Sequence, residues 1–310
     1  MKKLIILTIL LLTPKQALAQ GLNLSISPPI LQATIKPGKS ISQVFTIYNN
    51  NSTPIKLTPR IVPFLPEDDQ GNPSLQTQLH PAWLSYFSLA NSEIALGKPF
   101  TLLPNSSDQL VLSIKIPENT VPADHYATIL VNSEQVSETG ELGLNQSFVS
   151  GSIGANVLLT ISNQAAPPTI LNIIDLKPID TRFIKIGQTY ILDNFSPIRF
   201  SAKLENLGRH LTEAHGLFQI HKGTNVSHIQ SLLPVNVLAQ STRELVASSS
   251  SQLQFTPRLT QVGRYKASIN IRSENGSTQN SISLILLPIK AILGLLVAIL
   301  LLKFTLKKSQ

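Results

Sequence analysis

Four of the six histidines, His210, His215, His221 and His228, fall within nineteen residues and make metal binding the first chemistry to consider. Their spacing fits neither a His-Glu-x-x-His helix nor a compact zinc set, and a chain without cysteine has no thiolate to complete one. They are expected on turns and strand surfaces, with no metal and no other cofactor. The run "PEDDQGNP", 66–73, gathers Glu67, Asp68 and Asp69 before a glycine but lacks the alternating ligands and closing glutamate of a calcium loop. A hairpin turn is expected there. No Gly-x-Ser-x-Gly elbow occurs, since "SGSIG" has Ser150 at the first position, and no glycine-rich phosphate cradle joins a strand to a helix. Nothing nominates a carboxylate pair for glycoside hydrolysis, and the chain is expected not to be an enzyme. One cluster suits ligand binding: "HPAWLSYF", 80–87, holds the sole tryptophan, Trp83, and Tyr86. Aromatic faces beside carboxylates stack on and hydrogen-bond sugars or peptides, so Glu67, Asp68, Asp69, Trp83 and Tyr86 form the candidate ligand-binding set. Trp83 also has a rival role, the preferred one, as a tryptophan filling a sandwich core.

The elements that must position these residues are strands. "ISQVFTIYN" places Ile41, Phe45 and Ile47 on one face; "DQLVLSIKIP" alternates Leu110, Leu112, Ile114 and Ile116; "GANVLLTISN" alternates Ala155, Val157, Leu159 and Ile161. Proline and glycine punctuate them at short intervals, which indicates a β-sandwich. The plan then repeats. "PIRFSAKLEN" alternates Ile198, Phe200, Ala202 and Leu204, and "GRYKASINIRSE" matches "DHYATILVNSE", pairing Tyr265 with Tyr126. Both tyrosines suit the corner of an immunoglobulin-like sandwich. "NNNST" and "ENLGRH" are turns, because asparagine tolerates left-handed angles and bonds its own neighbouring backbone. "NQAAPP", 163–168, is a short stiff linker between the copies. The fold class is all-β: two tandem immunoglobulin-like β-sandwiches.

The ends address the chain to a membrane. Lys2 and Lys3, the apolar run 4–12 and Ala17-Leu18-Ala19 make a signal peptide over 1–19. At the other end, residues 286–306 would span roughly 31 Å as a helix, enough to cross a bilayer once. Lys303, Lys307 and Lys308 crowd its exit, which puts the C-terminus in the cytoplasm. The expected division is signal peptide 1–19, first sandwich 20–163, second sandwich 164–283, transmembrane helix 284–306 and tail 307–310. The net charge of +8 comes mostly from these ends: of 25 basic residues six lie in the signal and tail, leaving 19 against 17 acids. That balance removes the main support for nucleic-acid binding. Without disulfides the folded part must be held by burial.

With those residues in view, the chain resembles the WxL-interacting proteins of Gram-positive bacterial surfaces. "IKPGKSISQVFTIYNNNSTPIKL", "LLPNSSDQLVLSIKIPENTVPADHYATILV" and "GSIGANVLLTI" look like strands of that family's first domain, and "PIRFSAKLENLGRHLTEAHGLFQI" with "GRYKASINI" like its second. The resemblance implies a single-pass surface protein in the cell membrane with the bulk of the chain outside. Its first domain would bind cell-wall peptidoglycan or another surface polymer and its second a host protein, so the expected protein partner is a secreted or surface protein. The alternative is an export-side assembly factor acting by β-strand addition.

Overall fold

The computed structural model describes residues 22–135 and 151–308, so the expected signal peptide lies outside the described residues. The N-terminal half folds into two sheets. Its strands are β1 (Leu24–Ser27), β2 (Ile30–Ile35), β3 (Ser40–Asn49), β4 (Ile55–Pro66), β5 (Pro73–Leu75), β6 (Phe87–Leu89), β7 (Phe100–Leu102), β8 (Ser106–Lys115), β9 (Ala123–Gln135) and β10 (Gly151–Ile161). One sheet runs β1-β3-β8-β6 and the other β2-β10-β9-β4-β5, with β7 also on β4. Pro28 and Pro29 offer no N–H to a ladder, so the chain leaves the first sheet after β1 and rejoins the second as β2, parallel to β10. The alternation read from sequence becomes the core: Phe45, Ile47, Leu110, Leu112, Ile114, Val157 and Leu159 are fully buried between the sheets.

The C-terminal half repeats the plan with β11 (Leu171–Ile179), β12 (Phe183–Ile186), β13 (Thr189–Asp193), β14 (Ile198–Asn206), β15 (Thr212–Lys222), β16 (Asn225–Ser231), β17 (Val235–Val237), β18 (Thr242–Glu244), β19 (Leu253–Phe255), β20 (Gly263–Ser273) and β21 (Gly276–Leu287). The larger sheet runs β12-β13-β21-β20-β15-β16, and the smaller is built on β11-β14-β18. β13 lies parallel to β21 as β2 does to β10. The molecule is thus all-β with two sandwiches.

Asparagines close each sandwich, though by a device the turn reading does not contain. Asn49, at the end of β3, is 1% exposed; its Nδ2 donates to the carbonyls of Thr53, Leu102 and Leu103, and its Oδ1 accepts from the Asn51 N–H. Asn206 ends β14 in the same way, buried, donating to His210 O and Val237 O and accepting from the Gly208 N–H. Each amide ties its own strand end to a loop that crosses from the opposite sheet.

Two expectations need correction. Neither tyrosine makes a corner: Tyr265 is 4% exposed in the core with its hydroxyl unpartnered, and Tyr126 points at the other domain. The residues expected to open a membrane span are also strand. Leu284 and Leu286 are fully buried on β21, and a helix, α1 (Ile289–Lys308), starts only after Pro288. Among the described residues, no helix is long and apolar enough to cross a membrane.

Replacing Asn49 or Asn206 by alanine leaves buried carbonyls without donors and should lower the unfolding free energy by about 1–3 kcal/mol in urea denaturation. Asn50→Ala, at an exposed neighbour, should change it far less.

Candidate functional site

Proline initiates the aromatic cluster. The Leu84 N–H bonds the Pro81 carbonyl and the Ser85 hydroxyl bonds that of Ala82, which winds Ala82–Tyr86 into a 3-10 turn. Residues three apart eclipse in such a turn, so Trp83 and Tyr86 fall on one side. Both meet His125 of β9: Trp83 stacks on it at 4.7 Å and 20°, and Tyr86 meets it edge-on at 6.0 Å. Phe87 abuts the indole from beneath, at 6.0 Å. Trp83 is therefore half-buried, with one side in the first core and the other on the wall of a cavity of about 570 Å³. Leu65 and Leu79, both more than half exposed, face the same space with Phe64 and Pro81. Burial holds His125 below the ordinary histidine range, against the pull of Asp124. The cavity wall is thus uncharged at neutral pH along its aromatic side.

The acidic loop does different work. Asp68 Oδ1 accepts from the N–H groups of Gln70, Gly71 and Asn72, and its Oδ2 from the Asn72 amide. These bonds, that of the Asn72 side chain first, hold its carboxyl below the usual range. The carboxylate is spent on turning β4 into β5. Gly71 takes φ +92°, and a Cβ there would fall on the Arg243 guanidinium of the second sandwich. Asp69 pairs with Lys203 and raises its pKa, while the Glu244 N–H bonds the Asp69 carbonyl. Glu67 is exposed, its N–H bonded to the Asn72 carbonyl. The candidate set therefore divides: Trp83 lines the cavity with Tyr86 behind it on His125, Asp68 closes its own turn, and Asp69 clasps the second domain.

A second clasp lies at the cavity floor. Asp124, its side chain 3% exposed, accepts from His210 Nδ1 at 2.8 Å, from the Leu211 N–H and from the Tyr126 hydroxyl at 2.7 Å. The Tyr126 oxygen in turn accepts from the Ala239 N–H. Burial first, then the Asp124 charge, pushes the phenol far up, so it stays a donor. Phe64, Leu158 and Leu211 pack around this network, with Tyr126 and Leu238 against them. Residues 163–168 are likewise pinned, since the Asn275 amide donates to the carbonyls of Ala166 and Pro167. Of the other histidines, His215 faces Glu213 at 3.4 Å and His228 packs on Phe255. Among the described residues no three metal-binding side chains converge. Sequence reading missed His125 and Asp124, although "DHY" names both; their partners come from 82–86 and 210–239, which only the fold brings near.

No family model matches the chain, and no curated protein does. Solved structures similar to it include a chain of the CsuC–CsuE chaperone–tip adhesion subunit pre-assembly complex of Acinetobacter baumannii, at 11% identity and TM-score 0.35 over 86% of this chain and 99% of that one. The class 5 fimbriae chaperone CfaA gives 9% and 0.39 over 86% and 100%. The E. coli chaperone DraB gives 12% and 0.35 over 84% and 97%. At these scores and identities the likeness decides nothing about function.

Two outcomes test the site. Asp124→Ala removes the acceptor shared by three donors and should loosen the junction, seen as faster proteolysis within 163–168 and a larger radius of gyration by X-ray scattering. His125 links stability to pH: its folded value is depressed, so below about pH 6.5 the unfolded chain binds a proton at this residue that the folded chain resists. Stability is full above that pH and falls as acid is added, and the fall in melting temperature should shrink in His125→Phe.

Proposed function

We propose that the chain is a non-catalytic binding protein, held outside the cytoplasm at a membrane by its C-terminal helix, whose cavity at Trp83 takes an apolar side chain of a partner protein. The observation that carries the reading is the cavity's make-up. Phe64, Leu65, Leu79, Pro81 and Trp83 supply an apolar wall, and Gln76, His80 and Asp124 supply few polar groups. A sugar polymer needs many directed hydrogen bonds; an apolar anchor with a few polar contacts suits this lining better. The wall-polymer role that the resemblance to WxL-interacting proteins implies for the first domain therefore fits this cavity less well than a protein role.

Support for the tether comes from the helix and its sequence. Leu293, Leu295, Leu296, Val297, Leu300 and Leu301 are each more than half exposed, around the helix rather than along one stripe. A helix apolar all round needs an apolar surrounding, and the described chain supplies none. Its backbone runs 20 residues to Lys308, about 30 Å, and the sequence continues the apolar run with Leu302, Phe304 and Leu306.

Strand addition is the second reading, favoured by β12. This strand is the outer edge of its sheet, and Phe183, Ile184 and Ile186 on it are all exposed. The last strand of the first sandwich is a poor donor by comparison, because β9 and β2 flank it over Asn156–Ile161.

Trp83, the sole tryptophan, reports directly on the cavity. With the full chain in lipid nanodiscs, peptides carrying one phenylalanine or leucine anchor should shift its emission, and Leu79→Asp should abolish the shift. Unchanged emission with such peptides, together with co-sedimentation on insoluble peptidoglycan, would refute the protein-partner reading in favour of wall polymer.

A further inference from the structure

α1 leaves the second sandwich at the end reached by β13 and β21. Two loops meet there, 194–197 after β13 and 256–262 before β20. Asn194 joins them: it is 1% exposed, its N–H bonds the Leu287 carbonyl, and its Nδ2 donates to the carbonyls of Leu259 and Gln261. With the loop backbones fixed in this way, the apolar side chains Phe195, Leu259 and Val262 are turned outward, 44%, 60% and 38% exposed. Lys290, in the first turn of α1, is bound to the end of β13 and the first of these loops. Its Nζ lies 3.1 Å from Asp193 Oδ2 and 2.6 Å from Ser196 Oγ, and its N–H meets Asp193 Oδ1. Arg258 stands exposed beside Leu259. An ordered amide clamp thus holds three apolar side chains and two cations around the root of an apolar helix.

We propose that this end is a lipid seat: Phe195, Leu259 and Val262 rest in the boundary between headgroups and acyl chains of the bilayer that holds α1, with Lys290 and Arg258 at the level of the headgroups. The inference rests on the tether proposed above and adds a second contact to it. Its occupant follows from continuity, because a bilayer around α1 meets the loop that hydrogen-bonds the helix's first turn, and Asn194 ties the second loop to that one. Apolar side chains held at such a surface sink about 5–10 Å below the headgroups, while long cations keep their charge in the wet layer. A helix alone would leave the sandwiches free to tilt; helix and loops together fix the second sandwich upright.

Absence of cysteine lets single thiols be labelled without background. Phe195→Cys, Leu259→Cys, Gly294→Cys and Ser107→Cys, each carrying a bimane, would be placed as full chains in phosphatidylcholine–phosphatidylglycerol nanodiscs with and without brominated acyl chains. Gly294 lies on α1 and Ser107 on β8 of the first sandwich. The expected result is strong quenching at 294, clear but smaller quenching at both 195 and 259, and none at 107. Quenching at 294 with 195 and 259 as bright as 107 overturns the seat and leaves the tether standing. No quenching at 294 overturns the tether and the seat with it. A blue-shifted but unquenched emission at 195 and 259 overturns the seat by showing a second copy of the chain as the cover.

Discussion

A carboxylate with 3% of its side chain exposed must find donors, and Asp124 takes them from both domains: Tyr126 from its own, His210 and the Leu211 N–H from the other. Separating the sandwiches would leave that group desolvated and short of partners, which costs several kcal/mol for a buried ion. The penalty holds the junction closed more firmly than surface pairs such as Asp69 with Lys203 can, since exposed ion pairs contribute little. The rest of the molecule inherits the constraint. Tyr126 is kept protonated and fixed, Phe64 stacks on it at 5.9 Å, and the first-sandwich residues that floor the Trp83 cavity are thereby held in place by bonds from the second.

Strand positions were legible because burial of one sheet face imposes a period of two that sequence carries openly. Phe45, Ile47, Leu110, Leu112, Leu204 and Phe200 all point inward as their alternation requires. The repeat was legible for the same reason, and so was the hairpin at Asp68, where turn chemistry is local. What sequence hid was non-local. Asn49 and Asn206 looked like turn residues, yet their amides work on carbonyls 53 and 31 residues away. The acidic loop looked like a ligand site because three acids in a row say nothing about Lys203 and Arg243. Trp83 and Tyr86 were singled out from their type, but His125, which joins them, sits within an ordinary strand.

The open β12 edge belongs to the second sandwich and the Trp83 cavity to the first. Phe183 on β12 pairs with Leu192, which pairs with Leu286, so the open edge lies next to the root of α1. The Trp83 cavity lies past the junction, beyond the turn that carries Asn275. Lys185 sits over the Tyr190 ring on the β12 hairpin, a charge on an otherwise apolar edge of the kind that discourages casual strand pairing. A partner strand at β12 would have to approach the end that carries α1, whereas a partner at Trp83 would not.

That separation gives the second sandwich a mechanical meaning. β21 carries the chain from the junction to the helix in 12 residues, about 40 Å at roughly 3.3 Å per residue. The strand is paired along its length with β20, so this distance is rigid. Asp124 clasps the junction and Asn275 pins 163–168, so the described chain between the cavity and the end that carries α1 is tied at both places. A ligand site on a flexible stalk samples many heights and loses affinity to the ordering it must undergo on binding. Here the ordering is completed during folding by buried polar groups, and the apolar cavity is held in one orientation relative to the second sandwich.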